Sequence, residues 1–93
     1  MARLLTEQEV VEALKKLRGW RLEGTFIAKD YRFETFMDGV SFVNRVAEAA
    51  ETMDHHPDIH LRYTDVGLRV QTHSEGGVTV RDVRLAEAID RIH

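Results

Sequence analysis

The stretch Asp54-His55-His56-Pro57-Asp58-Ile59-His60-Leu61-Arg62-Tyr63-Thr64-Asp65-Val66-Gly67-Leu68-Arg69-Val70-Gln71-Thr72-His73 decides how this chain folds. Pro57 has no amide hydrogen to extend a helix and pushes His56 toward extended backbone, so the segment opens as the exit from a helix. Ile59, Leu61 and Tyr63 then alternate with His60, Arg62 and Thr64, and Leu68, Val70 and Thr72 alternate with Arg69, Gln71 and His73. Period-two alternation on both sides of a polar break predicts a hairpin turning near Thr64-Asp65. Its return leg would carry His73 back beside His55 and His56 at one end of the sheet.

Working upstream, Thr35-Phe36-Met37-Asp38 is a helix start with an acid in the first turn, where the helix dipole favours it. Phe36, Val40, Val43, Ala47 and Ala50, flanked by Phe42, Val46, Ala49 and Met53, form a broad apolar stripe that predicts a helix over 36–53 packed across a sheet. Before it, Trp20-Arg21-Leu22, the Gly24 turn and the Ile27, Tyr31, Phe33 parity predict a first hairpin, with a bulge or a covered outer face near Lys29. Thr6-Glu7-Gln8-Glu9 reads as a capping box opening a helix over 7–18 that ends at Gly19. Downstream, Thr79-Val80-Arg81-Asp82 repeats the capping pattern before Val83, Ala86, Ile89 and Ile92. The expected fold is α+β, with order α-β-β-α-β-β-α, antiparallel neighbours, and the three helices on one face of the strands.

At 93 residues the chain is expected to form a single domain over 1–93, with roughly two thirds of the unfolded surface buried. Hydrophobic residues at 43% and charged residues at 31% match a soluble globular protein. The absence of cysteine excludes thiolate nucleophiles, disulfides and Cys-based metal sites. No apolar run reaches the roughly 18 residues of a membrane span, and the first residues lack a sustained apolar core, so a soluble cytoplasmic chain without membrane association is expected. The net charge is −3 and the 13 Lys and Arg are interspersed with acids, which argues against direct nucleic-acid binding.

His55, His56 and His73 are the candidate catalytic residues, because imidazole titrates near neutral pH and a cluster can hold donor and acceptor forms together. Glu51, four residues before His55, is placed to orient that ring, and Asp54 offers a second carboxylate at the helix end. From spacing alone, capping of the helix C-terminus accounts for the histidine pair equally well. His60 reads as a solvent-facing strand residue, His93 as terminal, Asp82 as a capping partner, Tyr63 as a core or interface aromatic, Trp20 as a packing anchor, and Arg81 and Arg84 as solvated charges. A zinc or nickel site on His55, His56, His60 and His73 is the weaker reading, since adjacent histidines at a corner chelate less naturally than a helical i, i+4 pair.

Glu51-x-x-x-His55-His56-Pro57, Tyr63, His73 and Asp82, at these spacings, resemble the signature of the pterin-4a-carbinolamine dehydratases. The similarity extends to Leu5-Thr6, Gly19-Trp20, Phe42-Val43-x-x-Val46-Ala47 and Thr79-x-x-Asp82-x-x-Leu85-Ala86. The resemblance implies one four-stranded antiparallel sheet backed by three helices, assembly into homodimers or homotetramers, and dehydration of 4a-hydroxytetrahydropterin to quinonoid dihydropterin in tetrahydropterin recycling. It implies the three histidines as catalytic residues and Glu51 and Asp54 beside them, with Pro57, Thr72 and Ser74 expected to help bind the pterin and with no metal or other cofactor. The same family implies an alternative, a protein-binding module that stabilises a partner's oligomer as a transcriptional coactivator does. The chain departs from the pattern in having Ile59-His60 where an aromatic pair is common and Gly77-Val78-Thr79 where Gly-Leu-Thr is common, which bears on the pocket wall rather than on the histidines.

Overall fold

A computed structural model of the protein describes residues 2–93. Helix α1 (Glu7–Leu14) starts at the Thr6 capping box, whose hydroxyl accepts from the Glu9 amide while Glu9 accepts from the Thr6 amide. It stops short of the expected residue 18. The Lys16 and Leu17 amides bond the Ala13 and Leu14 carbonyls in tightened i to i−3 turns, and these carry the chain to Gly19 at φ +78°. Strands β1 (Arg21–Glu23) and β2 (Phe26–Arg32) form the first hairpin. No bulge interrupts β2, since Ile27 through Arg32 pair continuously with the fourth strand, and Ala28 is buried on the outer side of the sheet.

Helix α2 (Phe36–Met53) has the expected bounds and ends where Asp54 takes a left-handed conformation at φ 49°. Strand β3 (Asp58–Arg62) and strand β4 (Asp65–Val70) form the second hairpin, turning over Tyr63-Thr64, one residue earlier than expected. The early turn puts Tyr63 at φ 46° and leaves it 78% exposed, so it is no core residue. After β4, a 3-10 turn (His73–Glu75) precedes helix α3 (Val80–Ile92).

The four strands form one antiparallel sheet in the order β1-β2-β4-β3, with β3 at an edge, and the helices cover one face. Between the layers lie Val10, Ile27, Val46, Leu68, Val70, Leu85 and Ile89, all essentially inaccessible. Each such aliphatic side chain stabilises the fold by about 1.5–3 kcal/mol relative to exposure. Gly39 permits a close approach of α2 to the β3–β4 hairpin, because a Cβ there would lie 3.3 Å from Leu61 Cδ1. Gly39 stands in the first turn of α2, so this contact anchors the end of the helix opposite the Asp54 exit. Among the described residues, no helix is long and apolar enough to cross a membrane.

Candidate active site

The site is built where α2 ends and α3 begins. Past Asp54 the chain leaves the helix, but the His55 amide still bonds the Ala50 carbonyl at 3.1 Å, which turns the His55 ring inward. That ring is 7% exposed, and its Nε2 lies 2.5 Å from Asp82 Oδ1 in the first turn of α3. Asp82 is fully buried. Its other oxygen accepts the Thr72 hydroxyl and the Thr79 amide, each at 2.8 Å. With the Thr72 hydroxyl donating to Asp82, the Thr79 hydroxyl, 2.7 Å away, donates to Thr72 and accepts from the Arg81 amide at 3.2 Å. Every side-chain oxygen of Asp82, Thr72 and Thr79 in this knot has a partner, as a buried polar cluster requires.

This network assigns the His55 tautomer. Asp82 Oδ1 accepts only, so His55 Nε2 carries hydrogen, and in the neutral ring Nδ1 keeps the lone pair. A buried carboxylate holding one imidazole nitrogen as donor leaves the other free to exchange protons, and it stabilises the cation that forms.

Glu51 was expected to serve His55; instead its Oε2 contacts His56 Nε2, on an exposed pair. The physical reason is the left-handed Asp54, which breaks the helical i, i+4 geometry just before His55 and swings the next ring, His56, back toward Glu51. Asp82 is a capping partner as expected, but it is also the residue that grips His55, a contact 27 positions apart that spacing alone does not reveal. Arg81, expected to be a solvated charge, donates from Nη2 to the Asp54 carbonyl at 2.7 Å. Consecutive residues of α3 thus hold consecutive residues of the α2 exit.

A half-open cavity of about 210 Å³ is lined by Asp54, His55, His56, Gln71, Thr72, His73, Ser74 and Arg81. All three candidate histidines meet there, His73 from the 3-10 turn rather than from a strand end. Glu51 reaches the cavity only through His56, and Pro57 is not in its wall. The Thr72 hydroxyl is committed to Asp82, so that residue supports the floor. Gln71, one residue past β4, joins the wall unanticipated; its parity with Arg69 was the available signal. His60 lies apart on the outer face of the sheet, and among the described residues no group of three His, Asp or Glu side chains converges as a metal site would.

A larger hollow of about 770 Å³ lies over the uncovered sheet face, around Asp30, His60, Arg62, Gly67 and Arg69. Much of its charge is already paired, as in Arg32–Asp65 and Arg21–Asp30. The smaller cavity is the better candidate for chemistry because three histidines line it, one of them oriented by a buried carboxylate, whereas His60 is the one histidine of the larger hollow.

The family model for pterin 4 alpha carbinolamine dehydratase matches residues 3–92. The chain belongs to that family. A relative from Koribacter versatilis, provisionally named a pterin-4-alpha-carbinolamine dehydratase, is 43% identical over 93 residues, covering 100% of this chain and 99% of the relative. Another with the same provisional name, from Mycobacteroides abscessus, is 47% identical over 87 residues, covering 94% and 93%. The crystal structure of a protein from Brucella melitensis described as a transcriptional coactivator/pterin dehydratase superposes with a TM-score of 0.90 at 37% identity, covering 97% of this chain and 98% of that one. A pterin dehydratase-like protein described as a RuBisCO assembly factor of the alpha-carboxysome shares the fold alone, with a TM-score of 0.63 at 18% identity over 78% of this chain and 84% of that one.

Proposed function

We propose that this member of the dehydratase family converts 4a-hydroxytetrahydropterin to quinonoid dihydropterin and water, using His55, His56 and His73, within tetrahydropterin recycling. The observation that carries the reading is the buried Asp82–His55 pair at the floor of a cavity with two further histidines on its wall. Dehydration breaks the C4a–O bond and forms C4a=N5, so the hydroxyl must gain a proton to leave as water and N5 must lose one. His55 suits the acid role, because Asp82 offsets the charge of its imidazolium while Nδ1–H delivers the proton. His73 accepts the N5 proton. His56, held by Glu51, and the Ser74 and Gln71 side chains orient the ring, with Asp54 shaping the approach. No metal or organic cofactor enters this scheme.

The test is a spectroscopic assay of 4a-hydroxytetrahydropterin decay with purified, folded protein. Acceleration over the spontaneous rate supports the reading, and its absence at micromolar protein defeats it. The Brucella relative's description as a coactivator favours a second reading, a module that stabilises a partner's oligomer. The two separate on one pair of substitutions: His55→Ala with His73→Ala abolishes an enzyme but leaves an assembly module working.

A further inference from the structure

Strand β4 ties the histidine cavity to the uncovered face of the sheet. Val66, Leu68, Val70 and Thr72 alternate toward the helices and are buried, so Gly67, Arg69 and Gln71 share the opposite face. Gln71 is in the wall of the cavity. Arg69 is in the wall of the larger hollow, together with Asp58, its direct neighbour across the β3–β4 pair. Two residues along one face of a strand span about 6.5–7 Å, so the hollow begins about that far from the cavity wall. One step further along the row, Gly67 has no side chain to divide the hollow, and a Cβ there would lie 3.2 Å from Asp30 Oδ1.

Two charged groups stand uncommitted at this junction. Among the described residues, neither Asp58 nor Arg69 forms an ion pair, and the Arg69 guanidinium lies 5.0 Å from the centroid of the Phe26 ring instead. Lying over a ring orders a long side chain and leaves its N–H edge free to donate. Farther out, the hollow's charges are tied up in Arg21–Asp30 and Arg32–Asp65. A fork of donors beside a carboxylate acceptor suits a neutral group with adjacent hydroxyls, each able to donate to one side and accept from the other. An anion would be repelled by Asp58 and a cation by Arg69.

We propose that the cavity and the hollow form one extended substrate site, in which Asp58 and Arg69 read a hydroxylated chain at C6 of the pterin. The inference rests on the dehydratase reading. C6 is bonded to N5, so a ring whose C4a and N5 sit among the histidines carries its C6 substituent to the edge of the cavity. One cavity of about 210 Å³ is smaller than the roughly 300–1,000 Å³ of sites that envelop a small ligand, so part of the substrate lies outside it. The way out past Gln71 leads to Arg69 and Asp58. These two residues set specificity and take no part in proton transfer.

The experiment compares kcat/KM for two freshly generated 4a-hydroxytetrahydropterins, one with a dihydroxypropyl group at C6 and one with a methyl group there. Wild type is expected to favour the hydroxylated substrate about tenfold, mainly through KM, since the chain is bound alike in the ground and transition states. Arg69→Ala and Asp58→Ala, both at exposed positions and checked for folding by circular dichroism, are expected to cut that preference to about threefold or less, and the double variant to abolish it. Arg69→Gln and Asp58→Asn provide the same comparison with less change of shape. A wild type that treats the two substrates equally, or folded variants that keep the tenfold preference, overturns the extended site while leaving the dehydratase reading intact. Failure of wild type to accelerate either substrate overturns the dehydratase reading, and this inference with it.

Discussion

Replacing Asp82 by Asn removes one charge from a fully buried group of the site and keeps its shape. The carboxylate accepts from His55 Nε2, the Thr72 hydroxyl and the Thr79 amide. A carboxamide has one accepting oxygen, so one side of the knot must face an NH2. If the oxygen stays with Thr72 and Thr79, His55 Nε2 has to become an acceptor and its hydrogen moves to Nδ1, the nitrogen needed by the chemistry. Hydrogen bonds to a charged group contribute about 1.5–3 kcal/mol each, and a buried donor left without a partner costs about 1–3 kcal/mol. With the cap at Thr79 weakened as well, the sum for Asp82→Asn is about 2–4 kcal/mol. At roughly 4–8 °C per kcal/mol for a domain of this size, the melting temperature falls by roughly 8–32 °C. Turnover measured well below that temperature falls at least about 100-fold, the ordinary contribution of a positioned proton donor. Urea and thermal denaturation followed by circular dichroism supply the first number and pterin decay the second. Stability within about 0.5 kcal/mol of wild type together with unchanged turnover would refute the reasoning, because a surface substitution behaves that way.

Other expectations follow from buried and capped groups elsewhere. The Tyr31 hydroxyl is buried without a hydrogen-bond partner, and burial pushes the phenol up, so Tyr31→Phe is expected to stabilise by up to about 1 kcal/mol in urea titration. An acid raised by folding contributes stability below its ordinary value of about 10 and loses it as pH rises, so Tyr31→Phe should also flatten the alkaline limb of the stability curve. Glu9 is held down to about 2 by its hydrogen bonds to Arg3 and then to the Thr6 amide. Its contribution is present above the ordinary carboxylate value and lost as pH falls toward 2, so the gap between wild type and Glu9→Gln closes over that acid window. Asp90 ties α3 to the first corner by accepting from Trp20 Nε1 at 2.9 Å, the Arg18 amide at 3.1 Å and Lys29 Nζ at 3.2 Å. Asp90→Asn leaves the largely buried Lys29 ammonium unpaired and is expected to cost about 2–3 kcal/mol by the same titration.

Much of this architecture was legible because local and tertiary preferences agree. The apolar stripe of α2 and the caps Thr6, Thr35 and Thr79 name the helix starts, and Pro57 names the exit that presents His55 and His56. The end of α1 was less legible, since Leu17 keeps the apolar spacing while the backbone has already tightened after Leu14. In the site, the three histidines were visible as residue types, but their partners were not. Glu51 was paired with the wrong ring because helical spacing presumes a continuing helix, and the left-handed Asp54 ends it. The joint roles of Asp82 and Arg81 depend on how α3 packs against the α2 exit, which no short-range pattern encodes.

The central claim is that the cavity of His55, His56 and His73 dehydrates a pterin carbinolamine. The most direct measurement is stopped-flow decay of freshly generated 4a-hydroxytetrahydropterin with wild type and with the His55→Ala/His73→Ala double variant, both confirmed as folded. The account predicts catalysed decay with wild type and a return to the spontaneous rate with the double variant. Decay that the double variant accelerates as well as wild type would contradict it.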